Sequence, residues 1–155
     1  GTGWRIGLDR PTDGNMEEGQ DLQTIIEVTD CGIVTSGNYR KFYIENGEKL
    51  AHTIDPSTGR PVTHNLLCAT VIAENASTAD AYATWLMVAG PDRARSILES
   101  RGLEGMLVYG LQDSMAVYRT NNIKTIETMS FSLRIYDHKT YRDIDKVDRI
   151  TIDLK

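Results

Sequence analysis

Gly90-Pro91 separates two helical patterns and Gly102 closes the second; no other punctuation in the chain constrains its fold as much. Residues 81–89 are apolar almost all round, as a helix pressed onto a sheet must be, until Gly90 stops them. Pro91 has no N–H to leave unpaired in a first turn, so it opens a second helix over Pro91–Arg101. Ala94, Ile97 and Leu98 recur there at helical spacing, which makes that helix amphipathic. For the first helix the predicted N-cap is Ser77, with Asp80 three residues on as an acidic capping-box partner.

The helices need a sheet to cover, and the flanking residues supply strands. Leu66–Ala73 is a nearly continuous apolar run of strand length, as a strand buried on both faces would read. Residues 4–8, Leu22–Val28 and 31–35 read as shorter strands. Asn46-Gly47, the preferred pair for a type I′ turn, lies between Phe42-Tyr43-Ile44 and Leu50 and predicts a hairpin. Residues 106–109 and 115–118 form a further pair, and 130–136 and 147–154 alternate like strands. The sum is an α+β domain: an antiparallel-rich mixed sheet with two consecutive helices packed on it. The 155 residues are 40% hydrophobic, enough to bury the core of one such domain.

A formal charge of −5 without any Lys/Arg-rich run argues against nucleic acid as a partner. If the ligand carries phosphates, a bound divalent cation is the economical way to neutralise them. Cys31 and Cys68 stand in no metal-ligand spacing; Cys68 reads as a small core hydrophobe, with a disulfide between the two left open. No apolar run reaches the roughly 18 residues of a membrane span, and no signal peptide opens the chain. It starts at Gly1 rather than Met, as a processed form or a fragment would.

Three stretches depart from ordinary scaffold. Thr35-Ser36-Gly37-Asn38-Tyr39 carries a strand into a small polar turn, where a hydroxyl and backbone N–H groups can meet an anion; a solvated connection is the plainer reading. The stretch from His52 to Pro61 is a loop stiffened by Pro56, Gly59 and Pro61. His52 suits general-base work near neutral pH, or is a satisfied structural residue beside a simple turn. On the first helix Asp80 and Thr84 are four apart and so share a face, one turn from each other. A carboxylate and a hydroxyl so spaced are hard oxygen ligands suited to Mg²⁺, and the helix N-terminus nearby would favour a pyrophosphate. The alternative is that Asp80 caps the helix while Thr84 bonds back to a carbonyl.

Together these stretches resemble the ApbE family, the FAD:protein FMN transferases once described as thiamine-biosynthesis lipoproteins. The likeness is carried, in order, by Thr-Ser-Gly-Asn-Tyr, by His-Thr-Ile-Asp-Pro-Ser-Thr-Gly-Arg-Pro-Val, and by Ala-Thr-Val-Ile-Ala leading into Ala-Asp-Ala-Tyr-Ala-Thr-Trp-Leu-Met-Val-Ala-Gly-Pro. Residues 4–8 fit the strand before the Ser-Gly turn, and the resemblance covers about residues 4–119. It implies the C-terminal half of the family's fold over residues 1–119, with 120–155 a strand-rich tail that has no counterpart in the family's usual ending. It implies Mg²⁺-dependent transfer of FMN from FAD to a Ser or Thr hydroxyl of an acceptor flavoprotein, with release of AMP. Asp80 and Thr84 match the metal ligands, Ile54 an FAD contact, and His52 the residue that takes the acceptor's proton; Ser36 and Gly37 would contact the FAD. Asp55 is expected to shape its loop, with a hydrogen bond to His52 as a further option.

Family members are about twice as long, and the part absent here supplies most of the flavin pocket. The expected FAD affinity of these 155 residues alone is therefore weak or undetectable. A homodimer would be one way to complete the cradle. The competing expectations are an Mg²⁺-dependent FAD pyrophosphatase yielding FMN and AMP, and a flavin-binding fragment without catalysis. The resemblance also implies the cell envelope, with membrane attachment only through a lipid anchor outside these residues. His64 is expected at the surface, and 136–148 as a solvated charged turn.

Overall fold

The computed structural model describes residues 3–13 and 15–126. In chain order the elements are β1 (Trp4–Asp9), β2 (Leu22–Val28), β3 (Gly32–Gly37), β4 (Phe42–Glu45), β5 (Glu48–Ala51), β6 (Ile54–Asp55), β7 (Arg60–Pro61) and β8 (Leu66–Ala73). There follow α1 (Ala76–Ala89), α2 (Pro91–Arg101), β9 (Glu104–Gly110), β10 (Met115–Arg119) and β11 (Thr125–Ile126). The architecture is α+β, and every pairing between described strands is antiparallel.

The central sheet has the order β10-β9-β8-β3, so the apolar run Leu66–Ala73 has neighbours on both sides. It is covered on both faces as well. Leu66, Ala69 and Val71 of β8 meet Ala79, Ala83, Leu86 and Met87 of α1 and Ala94 and Leu98 of α2. Cys68 of β8, with Met106 and Val108 of β9, turns the other way onto Leu8 of β1, Ile26 of β2, Tyr39 and Ile123. The register shift between Leu66 and Cys68 lets Leu66 share a face with Ala69 despite the odd spacing. β1 and β2 thus do not extend the central sheet. They form their own three-stranded sheet, β1-β2-β11, which makes a third layer.

Both helix stops fall where the sequence predicts. Gly90 (φ 80°) caps α1 by donating its N–H to Leu86 O, and Gly102 (φ 62°) ends α2 in the left-handed conformation. The hairpin turn also matches, with Asn46 (φ 52°) and Gly47 (φ 81°) both left-handed as a type I′ turn needs. The start of α1 is different. Its N-cap is Asn75, not Ser77: Asn75 Oδ1 accepts hydrogen bonds from Thr78 N (2.9 Å) and Ser77 Oγ (2.8 Å). Ser77 therefore lies inside the first turn, and Asp80 falls one residue beyond it, clear of any capping role.

Gly32 sets how α1 lies on the sheet. A Cβ there would come within 2.3 Å of Asn75 C and Ala76 N, so only glycine lets the helix start cross β3 this closely. α1 then runs alongside β3 toward Ser36.

The two cysteines are unpaired. Burial pushes the Cys68 thiol up to about 12, as fits a core hydrophobe rather than a reactive thiol. His64 is half-buried rather than a surface residue. Its Nε2–H donates to Met87 O (2.8 Å) while Nδ1 accepts from Leu66 N (3.2 Å), which ties the end of α1 to the start of β8. The strands expected at 130–136 and 147–154 and the charged turn at 136–148 lie outside the described residues.

Candidate active site

The sheet edge formed by β3 becomes functional at its last two residues. Ser36 and Gly37 belong to the strand, opposite Ala69 and Cys68 of β8, and the polar turn follows them over 38–41. Asn38 is anchored through its N–H to Leu67 O (3.0 Å). The chain then runs out through the β4-β5 hairpin and returns at His52. A cleft of about 400 Å³ opens where these segments meet α1 and β1. Its lining includes Ser36, Gly37, His52 and Thr84, brought together from β3, the loop after β5, and α1.

Thr84 reaches the strand end directly, with its Oγ1 3.4 Å from Ser36 Oγ. It does not bond back to a helix carbonyl, so that alternative fails among the described residues. Asp80 lies one turn earlier on the same face, exposed, and makes no hydrogen bond or ion pair among the described residues. Asp80 is not part of the cleft's lining, and neither is Ile54, which is 45% exposed in β6. The first turn of α1 lies over Gly32, about two turns before Thr84, so the helix N-terminus does not face the cleft as expected.

His52 is exposed, and its Nδ1 is 2.8 Å from Lys41 O. A carbonyl only accepts, so Nδ1 carries the hydrogen and the Nε2 lone pair is left without a partner among the described residues. The partner is thus a backbone carbonyl rather than Asp55. The Asp55 carboxylate instead accepts from Ser57 N (2.8 Å) and Ser57 Oγ (2.7 Å), and those two hydrogen bonds hold its pKa below the usual value. Asp55 shapes the loop. The adjacent Thr53 donates to Asn38 Oδ1 (2.6 Å), which ties the histidine segment to the end of β3.

Sequence reasoning missed the charged rim. Arg40, Lys41 and Asp9 also line the cleft. The Arg40 guanidinium pairs with Asp9 and lies 5.4 Å from the centre of the Tyr39 ring. Lys41 makes no ion pair among the described residues, so it is the cation available to an anionic ligand. The adjacent cations Arg40 and Lys41, at the end of the polar turn after Gly37, are the available signal. Asp9 had none, because its place depends on the β1 sheet folding over the central one. Burial raises the Tyr39 pKa beneath this rim.

The donor set suits a hard cation. Among the described residues no group of three or more His, Cys, Asp or Glu side chains could hold a metal by itself. One carboxylate and one hydroxyl a helical turn apart fit Mg²⁺, which takes few protein ligands and fills its remaining positions with water and substrate phosphates.

Comparison with known proteins identifies the family. The model of the ApbE family matches residues 1–107. The FAD:protein FMN transferase of Escherichia coli strain K12 is 38% identical over 125 residues, which is 81% of this chain and 34% of that protein. The Klebsiella pneumoniae FAD:protein FMN transferase is 42% identical over 103 residues, 66% of this chain and 28% of its own length. Among solved structures, the flavin transferase ApbE from Vibrio cholerae superposes with a TM-score of 0.62 at 32% identity, over 76% of this chain and 36% of the other. Fold and sequence are thus shared with flavin transferases, although the matched stretch spans only about a third of these relatives. The chain belongs to the ApbE family.

Proposed function

We propose that this chain carries part of the site of an FAD:protein FMN transferase, moving FMN from FAD to a Ser or Thr hydroxyl of an acceptor flavoprotein and releasing AMP. The observation that supports this best is the convergence of Ser36, Gly37, His52 and Thr84 on one cleft, from segments far apart in sequence. In this reading Asp80 and Thr84 would hold Mg²⁺. The cation would offset negative charge on the phosphoryl group being transferred. Lys41 adds a second positive charge at the rim. His52 Nε2 takes the proton of the acceptor hydroxyl. The acceptor oxygen then bonds to the phosphorus on the FMN side, the bond to the AMP oxygen breaks, and AMP leaves. Ser36 and Gly37 meet the ligand at the strand end, and Ile54 contacts the FAD through its backbone. Much of the rate comes from positioning.

The test is a chimera in which the matched stretch of the Vibrio cholerae flavin transferase is exchanged for this chain. Given FAD, Mg²⁺ and an acceptor, it should yield acceptor carrying covalent FMN, and His52→Ala and Asp80→Ala should each abolish that product. A folded chimera that transfers nothing, or transfers equally well with both alanines, would refute the reading. Because His52 is open to solvent, water can compete with the acceptor. FMN and AMP formed equally fast without acceptor would favour the pyrophosphatase instead.

A further inference from the structure

We infer that Asn38 and Thr53 are positioning residues that lock the His52 imidazole in its Nδ1–H form, leaving Nε2 as the base. His52 is exposed, on a connection between two small hairpins, and nothing about that position selects a tautomer by itself. An unheld imidazole samples both forms, and the hydrogen bond to one nitrogen decides the other's role. Here the deciding partner is Lys41 O, 2.8 Å from Nδ1. That carbonyl belongs to the segment 38–41, which the histidine loop meets in two further places: the β4-β5 ladder, where Phe42 faces Ala51, and the side-chain bond from Thr53 Oγ1 to Asn38 Oδ1 at 2.6 Å. Both ends of the tie are anchored. Asn38 N–H donates to Leu67 O of the central sheet (3.0 Å), and Thr53 O accepts from Val62 N (3.0 Å).

The geometry therefore transmits order from β8 to Asn38, from Asn38 to Thr53, and so to the residue beside it. The ladder pair Phe42–Ala51 holds one side of His52, and the tie holds the other; cutting the tie lets 52–53 turn about that pair, and the ring loses the contact with Lys41 O that fixes its hydrogen on Nδ1. The protein also contains its own reference. His64 is held in the opposite tautomer, Nε2–H, by Met87 O and Leu66 N. The inference rests on His52 acting as proton acceptor, but its readout is the ring itself, so failure of transferase activity and failure of the tautomer lock are separate results.

The experiment is ¹⁵N–¹H correlation of the imidazole rings in this chain at about pH 8.5, where ordinary histidine is neutral. Signals are assigned with His52→Gln and His64→Gln. Native His52 should appear as Nδ1–H and His64 as Nε2–H. Thr53→Val and Asn38→Ala should each move His52 to a tautomer mixture with His64 unchanged, and Thr53→Ser, which keeps the hydroxyl, should retain the native form. A His52 that stays Nδ1–H in a variant whose His64 signals are native overturns the inference. So does native His52 as Nε2–H. Loss of the His64 signals in both variants also overturns it, since the tie would then serve the fold and not the ring.

Discussion

Replacing Asn75 and Asp80 separately by alanine distinguishes a helix cap from a ligand. Asn75 Oδ1 accepts two hydrogen bonds, from Thr78 N and Ser77 Oγ, at the start of α1. Losing such a cap costs about 1 kcal/mol, which for a slope of about 2 kcal/mol per molar lowers the urea midpoint by roughly 0.5 M. Asp80 has no such partner. It is the fifth residue of α1, past the first turn, so its interaction with the helix dipole is already fading. Alanine is the better helix former by up to about 0.7 kcal/mol, and the two effects nearly cancel, for a net change within about 0.5 kcal/mol. Urea unfolding followed by far-UV circular dichroism reads both variants. The order should reverse in the chimera, where Asp80→Ala loses flavin transfer and Asn75→Ala keeps it. If Asp80→Ala destabilised the chain as much as Asn75→Ala, the carboxylate would have a structural task and its assignment as a metal ligand would fall.

Gly32→Ala should cost about 1–3 kcal/mol, because a methyl group 2.3 Å from two backbone atoms forces α1 off β3; unchanged urea stability would show that the helix start does not lie there. Native thiol titration should find Cys31 reactive and Cys68 protected until the chain unfolds. Cys68 is raised from an ordinary 9.0 to about 12, so the stability it lends is complete below pH 9.0 and lost as pH rises toward 12; stability rising through that window would contradict its burial. Calorimetric titration of these 155 residues with FAD and Mg²⁺ should give weak or undetectable binding, and sub-micromolar affinity would show that the cleft needs nothing more.

Much of the fold is legible because its signals are local. Gly90, Pro91 and Gly102 bound both helices through backbone geometry that the residue types dictate, and Asn46-Gly47 does the same for the hairpin. The continuous apolar run of β8 shows in the sequence because both of its faces are covered. The cap was misread because Asn75 and Ser77 are both good N-caps, and Ala76 between them carries no helical period. His64 looks like a surface residue until Met87 O comes beneath it, a tertiary event. The site divides the same way. Motif order points to Ser36, Gly37, His52, Ile54, Asp80 and Thr84; the cleft brings together Ser36, Gly37, His52 and Thr84, while Ile54 and Asp80 do not line it. The Lys41 carbonyl that holds His52 is backbone, which no residue type announces, and Asp9 reaches the rim only through the folding of a second sheet.

The account depends on cation and pyrophosphate meeting at the α1 face that bears Asp80 and Thr84. Crystals of the chimera soaked with Mn²⁺ and FAD would locate the ion by its anomalous signal. A peak at coordination distance from both Asp80 and Thr84 Oγ1, bridged to the FAD phosphates, is the expected result. An ion or pyrophosphate bound elsewhere, with that face empty, would contradict the account.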